Sequence, residues 1–384
     1  MNERLDTMPP RWQDYILTDG QAFQEFWASH LRPRRRDVLF VLGHGFDPRM
    51  CLGLAAIMGA GGEGRRDICV LALEEGSHSP SQAHAGLAQQ NWRELECLAA
   101  RGTMTTRSIP LWSADKRRRV GATQAAAIFR SISDLASYTD IVVDVSALPR
   151  GVYFPLIGKI LHLLDHQDPD PRPRGPNLHV VVSESPELDR QIRDEGVEDA
   201  ADYVPYFQGG AEIQGDNDHP TVWIPLLGEG QQVQLKRISE LVGTAEVCVV
   251  LPSPSLDPRR ADNLVLEYQD FLFDQLRIEP RNIIFASEWN PFEVYRQIRK
   301  AILDYRVVLS PLGGCKPVLS ALSTKLMSLG ALLVAYELKQ LDVGVAIAHV
   351  EAQGYLIHGP EIPTPYTRSK PYGLWLWGEC YEPT

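Results

Sequence analysis

Apolar residues along the chain follow two spacings. The runs DVLFVLG (37–43), DICVLAL (67–73), DIVVDVS (140–146) and LHVVVS (178–183) are continuous and rich in β-branched residues. Runs of this kind predict strands buried on both faces of a parallel sheet. Between them apolar positions fall three and four apart. In QAFQEFWASHL, Phe23, Phe26, Trp27 and Leu31 share one helical face. Helices are also predicted over 48–58, 82–100, 121–138 and 152–164. Leu87, Trp92, Leu95 and Leu98 are the apolar positions of the second of these, and the last carries Pro155 in its first turn, where a missing N–H is tolerated. The second half repeats the alternation. Strands are predicted over 221–228, 246–252, 282–287, 306–310 and 331–338, and helices over 231–243, 260–276, 291–305 and 316–330. Strands alternating with helices predict an α/β protein built from doubly wound, mostly parallel sheets.

The same pattern divides the chain. Residues 1–36 form a helical N-terminal extension and 37–183 a first Rossmann-like domain. The acidic, glycine-containing stretch 184–219 is the linker. Residues 220–340 form a second Rossmann-like domain, and 341–384 a β-rich tail ending in Trp and Tyr. HQDPDPRPRGP (166–176) joins a helix to the last strand of the first domain. The halves overlay in order: VLFVLGHGFDPR on VWIPLLGEGQQV, DICVLAL on EVCVVLP, and VVDVSALPRG on VVLSPLGGCK. Four elements in one order, with Gly-x-Gly after the first strand of each half, indicate an internal duplication.

Ligands in doubly wound sheets bind beyond the carboxyl ends of the strands. Four loops are predicted there: GHGFDPR (43–49), DVSALPRG (144–151), GEGQQ (228–232) and SPLGGCK (310–316). In the first, Gly43 and Gly45 admit a close backbone approach, His44 lies between them, Asp47-Pro48 suits a helix start, and Arg49 is a candidate phosphate ligand. Pro48 stands where the third glycine of a dinucleotide fingerprint belongs, so nicotinamide dinucleotide binding is not expected. In the fourth, a strand ending at Ser310 would turn through Gly313 and Gly314, so that Lys316 opens a helix, a geometry suited to an anion. Cys315 is a better packing residue than nucleophile, since no arginine follows at the required spacing. Asp144, Ser146 and Arg150 occupy the matching turn of the first half, and Gly228, Glu229 and Gly230 the first turn of the second. His44, Asp47 and Asp144 are the acid–base candidates if the protein is an enzyme.

Composition narrows the partners. The formal charge of the 384 residues is −11, which disfavours non-specific binding to nucleic acid. Arginines 32, 34, 35 and 36 and the run Lys116 to Arg119 are local basic clusters, each read as solvated charge beside an element start. The six cysteines form neither a C-x-x-C pair nor a zinc spacing with histidine, so no metal or cofactor is expected. Reduced thiols, the absence of an apolar leader and the absence of a long apolar span predict a cytoplasmic protein with no membrane contact.

SPLGGCKPVLSAL resembles the G-G-T-K-x-x-x-x-A motif of CARF domains (CRISPR-associated Rossmann fold), with Cys315 in place of threonine. Two such halves in one chain are similar to SAVED domains. The resemblance implies a sensor or subunit of bacterial antiviral defence. It would bind a nucleotide, such as a cyclic oligonucleotide, near Gly313, Gly314 and Lys316 with Gly228 to Gly230 facing them. The signal would pass to a protein partner or through a homo-oligomer. DVSALPRG lacks Gly-Gly-x-Lys, so the first half departs from that pattern. Two other readings stay open: an enzyme acting on a nucleotide or phosphosugar, and a structural subunit of a defence complex.

Overall fold

A computed structural model describes residues 8–76, 79–115, 118–167, 175–209, 219–243, 246–358 and 369–381. The strands are β1 (Ile16–Asp19), β2 (Val38–His44), β3 (Arg66–Glu74), β4 (Met104–Pro110), β5 (Asp140–Asp144), β6 (Asn177–Glu184), β7 (Ile192–Val197), β8 (Asp202–Gln208), β9 (Thr221–Leu226), β10 (Glu246–Val247), β11 (Val249–Pro252), β12 (Ile283–Ala286), β13 (Lys316–Ala321), β14 (Ala346–His349), β15 (Ala352–Ile357) and β16 (Lys370–Trp377). The α-helices are α1 (Gly20–Leu31), α2 (Leu52–Gly59), α3 (Ala85–Leu98), α4 (Gly121–Ala126), α5 (Arg150–Asp165), α6 (Pro186–Gln191), α7 (Gln232–Val242), α8 (Arg260–Glu267), α9 (Pro291–Val308) and α10 (Lys325–Gln340). No helix among the described residues is long and apolar enough to cross a membrane.

The chain forms two compact units, and its ends are exchanged between them. An N-terminal unit comprises Tyr15–Gly196 with Ala352–Thr384, and a C-terminal unit comprises Val197–Glu351 with Met1–Asp14. The expected tail therefore contributes to both: β14 stays with the second unit, while β16 pairs antiparallel with β6 and takes β1 on its other side. The expected linker is also structured, since α6, β7 and β8 fall within it. Part of it, 210–218, lies outside the described residues, as do Lys116 and Arg117.

The N-terminal unit has the strand order β1-β16-β6-β5-β2-β3-β4, with β6 to β4 all parallel. The C-terminal unit has β8-β14-β13-β9-β11-β12, again parallel except for its antiparallel edge β8. Matching β6 with β14, β5 with β13, β2 with β9, β3 with β11 and β4 with β12 gives one parallel topology twice, while the antiparallel strands β16 and β8 correspond in place but not in chain order. In each unit the chain steps outward in one direction, then returns to the other side of its first strand. That reversal is the switch point, between β2 and β5 in one unit and β9 and β13 in the other.

The cores follow from the apolar runs. Val38, Phe40, Leu42, Ile68, Val70 and Val142 pack with Phe23, Trp27 and Leu54 in the N-terminal unit. Trp223, Val249, Leu251 and Val318 pack with Leu235, Ile238 and Leu264 in the C-terminal unit. Trp12, fully buried, stacks edge-on against Tyr295 at 5.4 Å, and its neighbour Arg11 donates its backbone N–H to Glu337 at 2.9 Å. This anchors the start of the described chain in the C-terminal unit.

Four predicted elements differ. Residues 306–308 end the helix α9, residues 316–321 are the strand β13, and the predicted strand 331–338 lies inside α10. The helix predicted over 121–138 stops at Ala126, and only a short turn at Ile132–Asp134 follows. Every residue from Leu326 to Leu338 is buried, so α10 carries no polar face to reveal its period.

Candidate functional site

In the N-terminal unit the switch point joins the ends of β2 and β5, where Leu42 pairs with Asp144. Gly43 is required by a close approach: a Cβ there would lie 2.5 Å from Leu148 Cδ2 and 3.2 Å from the Ala147 carbonyl. The chain then leaves the sheet through Gly45 and Asp47. Asp47 caps the turn Pro48–Cys51, its Oδ1 accepting the Arg49 backbone N–H at 2.9 Å. Its carboxylate also clamps the Arg49 side chain, through Nε at 3.0 Å and Nη2 at 2.8 Å. The remaining guanidinium nitrogen, Nη1, donates to Asp189 Oδ1 at 2.6 Å. Burial works against the charged guanidinium, and these two carboxylates more than offset it, so its pKa is raised further above the ordinary arginine value. Arg49, expected to face a phosphate, is thus only 3% exposed and held by two internal anions.

The other residues of this turn have defined partners. His44 Nε2–H donates to the Ala88 carbonyl at 3.1 Å, and its ring meets Trp92 edge-on at 5.1 Å. Asn91 of α3 donates to the carbonyls of Gly45 (2.9 Å) and Asp47 (3.0 Å), which fixes the path of the loop. Asp144 is buried and accepts the Ser146 N–H at 2.9 Å, while Ser146 Oγ accepts the Ser183 N–H at 2.8 Å, tying β5 to β6. A Cβ on Gly53 would lie 2.5 Å from Asp144 Oδ2, so α2 packs its backbone directly on that carboxylate. Beyond it, Arg150 opens the sixteen-residue helix α5, which starts on Pro149 with no side-chain cap and no acid in its first turn. His44, Gly45 and Arg150 are the partly exposed members of the set.

The equivalent turn of the C-terminal unit is closed by its own carboxylates. Gly228 repeats the role of Gly43, since a Cβ there would lie 2.3 Å from the Leu322 carbonyl. The N–H groups that follow are already occupied: Gly230 donates to Glu267 at 2.7 Å and Gln231 to the Tyr268 hydroxyl at 2.9 Å. Tyr268 in turn donates to the Gly228 carbonyl at 2.6 Å. The two carboxylate oxygens of Glu229 accept from Arg260 Nε and Nη2, at 2.7 Å each, and Arg260 Nη1 pairs with Glu288.

SPLGGCK is not a strand-to-helix turn, and this corrects the sequence reading. Ser310, Gly313 and Gly314 follow the helix α9, and Lys316 opens the strand β13. The loop therefore lies at the amino end of the sheet, opposite the strand ends that form the switch point. The two glycines have positive φ (+86° and +107°) and return N–H groups to Ser310 and Leu309 carbonyls at 3.0 Å. They are a helix stop. Burial pushes the Cys315 thiol up to about 11, away from an activated thiolate. The true counterpart of DVSALPRG is the turn from Ala321 to Lys325, where Thr324 Oγ1 accepts the Met327 N–H and caps α10.

The sequence reading missed Asn91, Asp189, Arg260 and Glu267. They reach the turns from 31 to 140 residues away, and no local spacing marks them. It also missed a buried cluster at the amino ends of β5 and β6. There Asp140, fully buried, accepts hydrogen bonds from His30 (2.7 Å), Asn177 (2.9 Å), His179 (3.3 Å), Arg36 (3.1 Å) and Thr139 (2.7 Å). Phe26, Trp27 and Trp375 surround its imidazoles. Burial alone would raise the Asp140 pKa, but hydrogen bonds from His179 and His30, with their charge, hold it far below the carboxylate range. One atom each of His30, Asp140 and His179 lie within 4.8 Å of one another, a spacing that suits a metal ion. Arg36, bound to the same carboxylate, opposes a second cation there, so the arrangement fits an internal charge network better.

No family model matches the chain. No curated protein matches it either. Among solved structures 29 chains match. One is a protein from Pseudomonas aeruginosa described as a universal stress protein, 12% identical, with a TM-score of 0.21, the match covering 82% of this chain and 92% of that one. Identity and TM-score this low carry no argument about ligand or activity, and the architecture described above stands on the chain's own strand order.

Proposed function

We propose that the protein is a ligand-binding sensor or subunit. Its N-terminal unit takes a nucleotide-like anion over the ends of β2 and β5, and its C-terminal unit is a scaffold copy of the same fold. One contrast carries the reading. The N-terminus of α5 has an arginine, no side-chain cap and no acid, whereas in the other unit Thr324 caps α10 and Glu267 fills the Gly230 N–H. A long helix with an uncapped start and a cation beside it attracts phosphate. His44, Gly45 and Arg150 are the contact residues this reading names. A role in antiviral signalling, with cyclic oligonucleotides as ligand, rests on the resemblance to CARF and SAVED domains alone, and SPLGGCK, which carried it, belongs to the other end of the sheet.

Thermal unfolding in the presence of cyclic oligonucleotides and mononucleotides tests this. A ligand at one hundred times its Kd stabilises by about 2.7 kcal/mol, a readable rise in melting temperature. If none of them moves the transition, the reading is wrong. A purely structural subunit is the second reading, favoured by the carboxylate-filled turn of the C-terminal unit. The enzymatic reading has less support, because Asp47 is committed to Arg49 and Asp144 to the Ser146 N–H.

A further inference from the structure

The two carboxylates on Arg49 are held in different ways. Asp47 is fixed: it lies two residues away in the chain, binds two guanidinium nitrogens, and caps the turn through the Arg49 N–H. Asp189 makes one contact, through Nη1, from a side chain 40% exposed on the six-residue helix α6. The partner of Nη1 on the buried Arg49 is thus a carboxylate that is itself partly in solvent. Phosphoryl oxygens use the same donor geometry as carboxylate oxygens.

The helix α6 runs into β7 without an intervening residue, and β7 pairs with β15 in a two-stranded sheet. β15 in turn is held by side chains that follow β3 and β4: Ser81 Oγ accepts the Tyr355 N–H (3.0 Å), His84 Nε2 accepts the Ile357 N–H (3.0 Å), and Arg119 donates to the Ala352 carbonyl (2.9 Å). Two of the three crossings from one unit to the other fall at the ends of these same two strands, between Gly196 and Val197 and between Glu351 and Ala352; the third lies between Asp14 and Tyr15.

We infer that Asp189 is a built-in surrogate ligand: its carboxylate fills an oxyanion subsite on Arg49, and a phosphoryl oxygen of the ligand replaces it, releasing α6 and the β7–β15 ribbon. This rests on the anion-binding reading above and adds its regulation. The released segment carries two of the three covalent crossings between the units, which gives binding a route to an output.

Two measurements test it, one of them independent of any ligand. In hydrogen exchange without ligand, Asp189→Asn speeds exchange of residues 186–197 and 352–357 over wild type and leaves β2 and β5 unchanged. Unchanged exchange in 186–197 overturns the inference. In titrations with inorganic pyrophosphate, Asp189→Asn binds about tenfold tighter than wild type, the worth of one charge-assisted hydrogen bond no longer competed for. Equal affinity, or no binding by the variant, also overturns it. Nucleotide binding that Arg150→Ala weakens and Asp189→Asn leaves untouched would sink the surrogate while keeping the anion site. Because Asp189 is exposed and Arg49 keeps Asp47, the variant is expected to fold, and Asp189→Ser provides a second neutral replacement.

Discussion

Replacing Asp140 by asparagine tests the charge network at the amino end of the N-terminal sheet. The carboxylate is fully buried and receives five side-chain donors, among them the buried guanidinium of Arg36. Asparagine keeps the shape but removes the charge, and it presents an N–H₂ group to donors. Breaking one side of a buried ion pair costs about 3–5 kcal/mol, because the partner stays buried without compensation. For a unit of this size each kcal/mol moves the melting temperature by about 2–4 °C, so the expected fall is roughly 6–20 °C. Glu379, which also pairs with Arg36 at 2.9 Å, places the effect toward the lower end. The pH dependence has a definite sign. The folded pKa of Asp140 is depressed, so its stabilisation is present above the ordinary carboxylate pKa of 3.8 and lost as pH falls below it. Burial also lowers the His179 pKa from 6.5, so the unfolded chain takes up that proton first and stability declines as pH falls through 6.5. Calorimetry from pH 8 to pH 3 should show wild type losing stability in both windows, and Asp140→Asn starting lower and falling less below pH 4. A variant within 2 °C of wild type at pH 7 would refute the network's role.

Other predictions follow from single contacts. Trp12→Ala removes a fully buried indole and its edge contact with Tyr295, and should cost about 3–5 kcal/mol, seen as faster exchange of α9 and α10. Gly228→Ala forces a Cβ against the Leu322 carbonyl and should cost about 1–3 kcal/mol by denaturant titration. Gly43→Ala should cost less, because its nearest neighbour is the movable end of Leu148. Treatment with EDTA should leave the melting temperature unchanged, since Arg36 and Asn177 already share Asp140 with the two histidines. A fall on chelation would show a metal there instead.

The strands were legible where they are continuous apolar runs bounded by turn residues, as in β2, β3, β5 and β6. That pattern failed where a helix is buried all round. From Leu326 to Leu338 the sequence is mostly apolar and every residue is buried, and a helix without a polar face has the composition of a buried strand. The error at α10 shifted the overlay of the halves by one element and gave Gly313-Gly314 a phosphate role, when their positive φ values mark a helix end. The exchange of chain ends was not legible at all, because β16 pairs with β6 across almost two hundred residues. At the candidate site the local constellation of His44, Asp47 and Arg49 was visible as a strand end with chemistry. Its electrostatic state was not, because the residue that completes the charge balance, Asp189, comes from 140 positions away.

The central claim is that the anion site lies at the carboxyl ends of β2 and β5, and not at the Gly-Gly-x-Lys loop. Melting temperatures of wild type, Arg150→Glu and Lys316→Ala, each with and without saturating nucleotide, test it most directly. The account predicts a rise in wild type, the same rise in Lys316→Ala, and none in Arg150→Glu. A rise that survives Arg150→Glu and disappears in Lys316→Ala would contradict it.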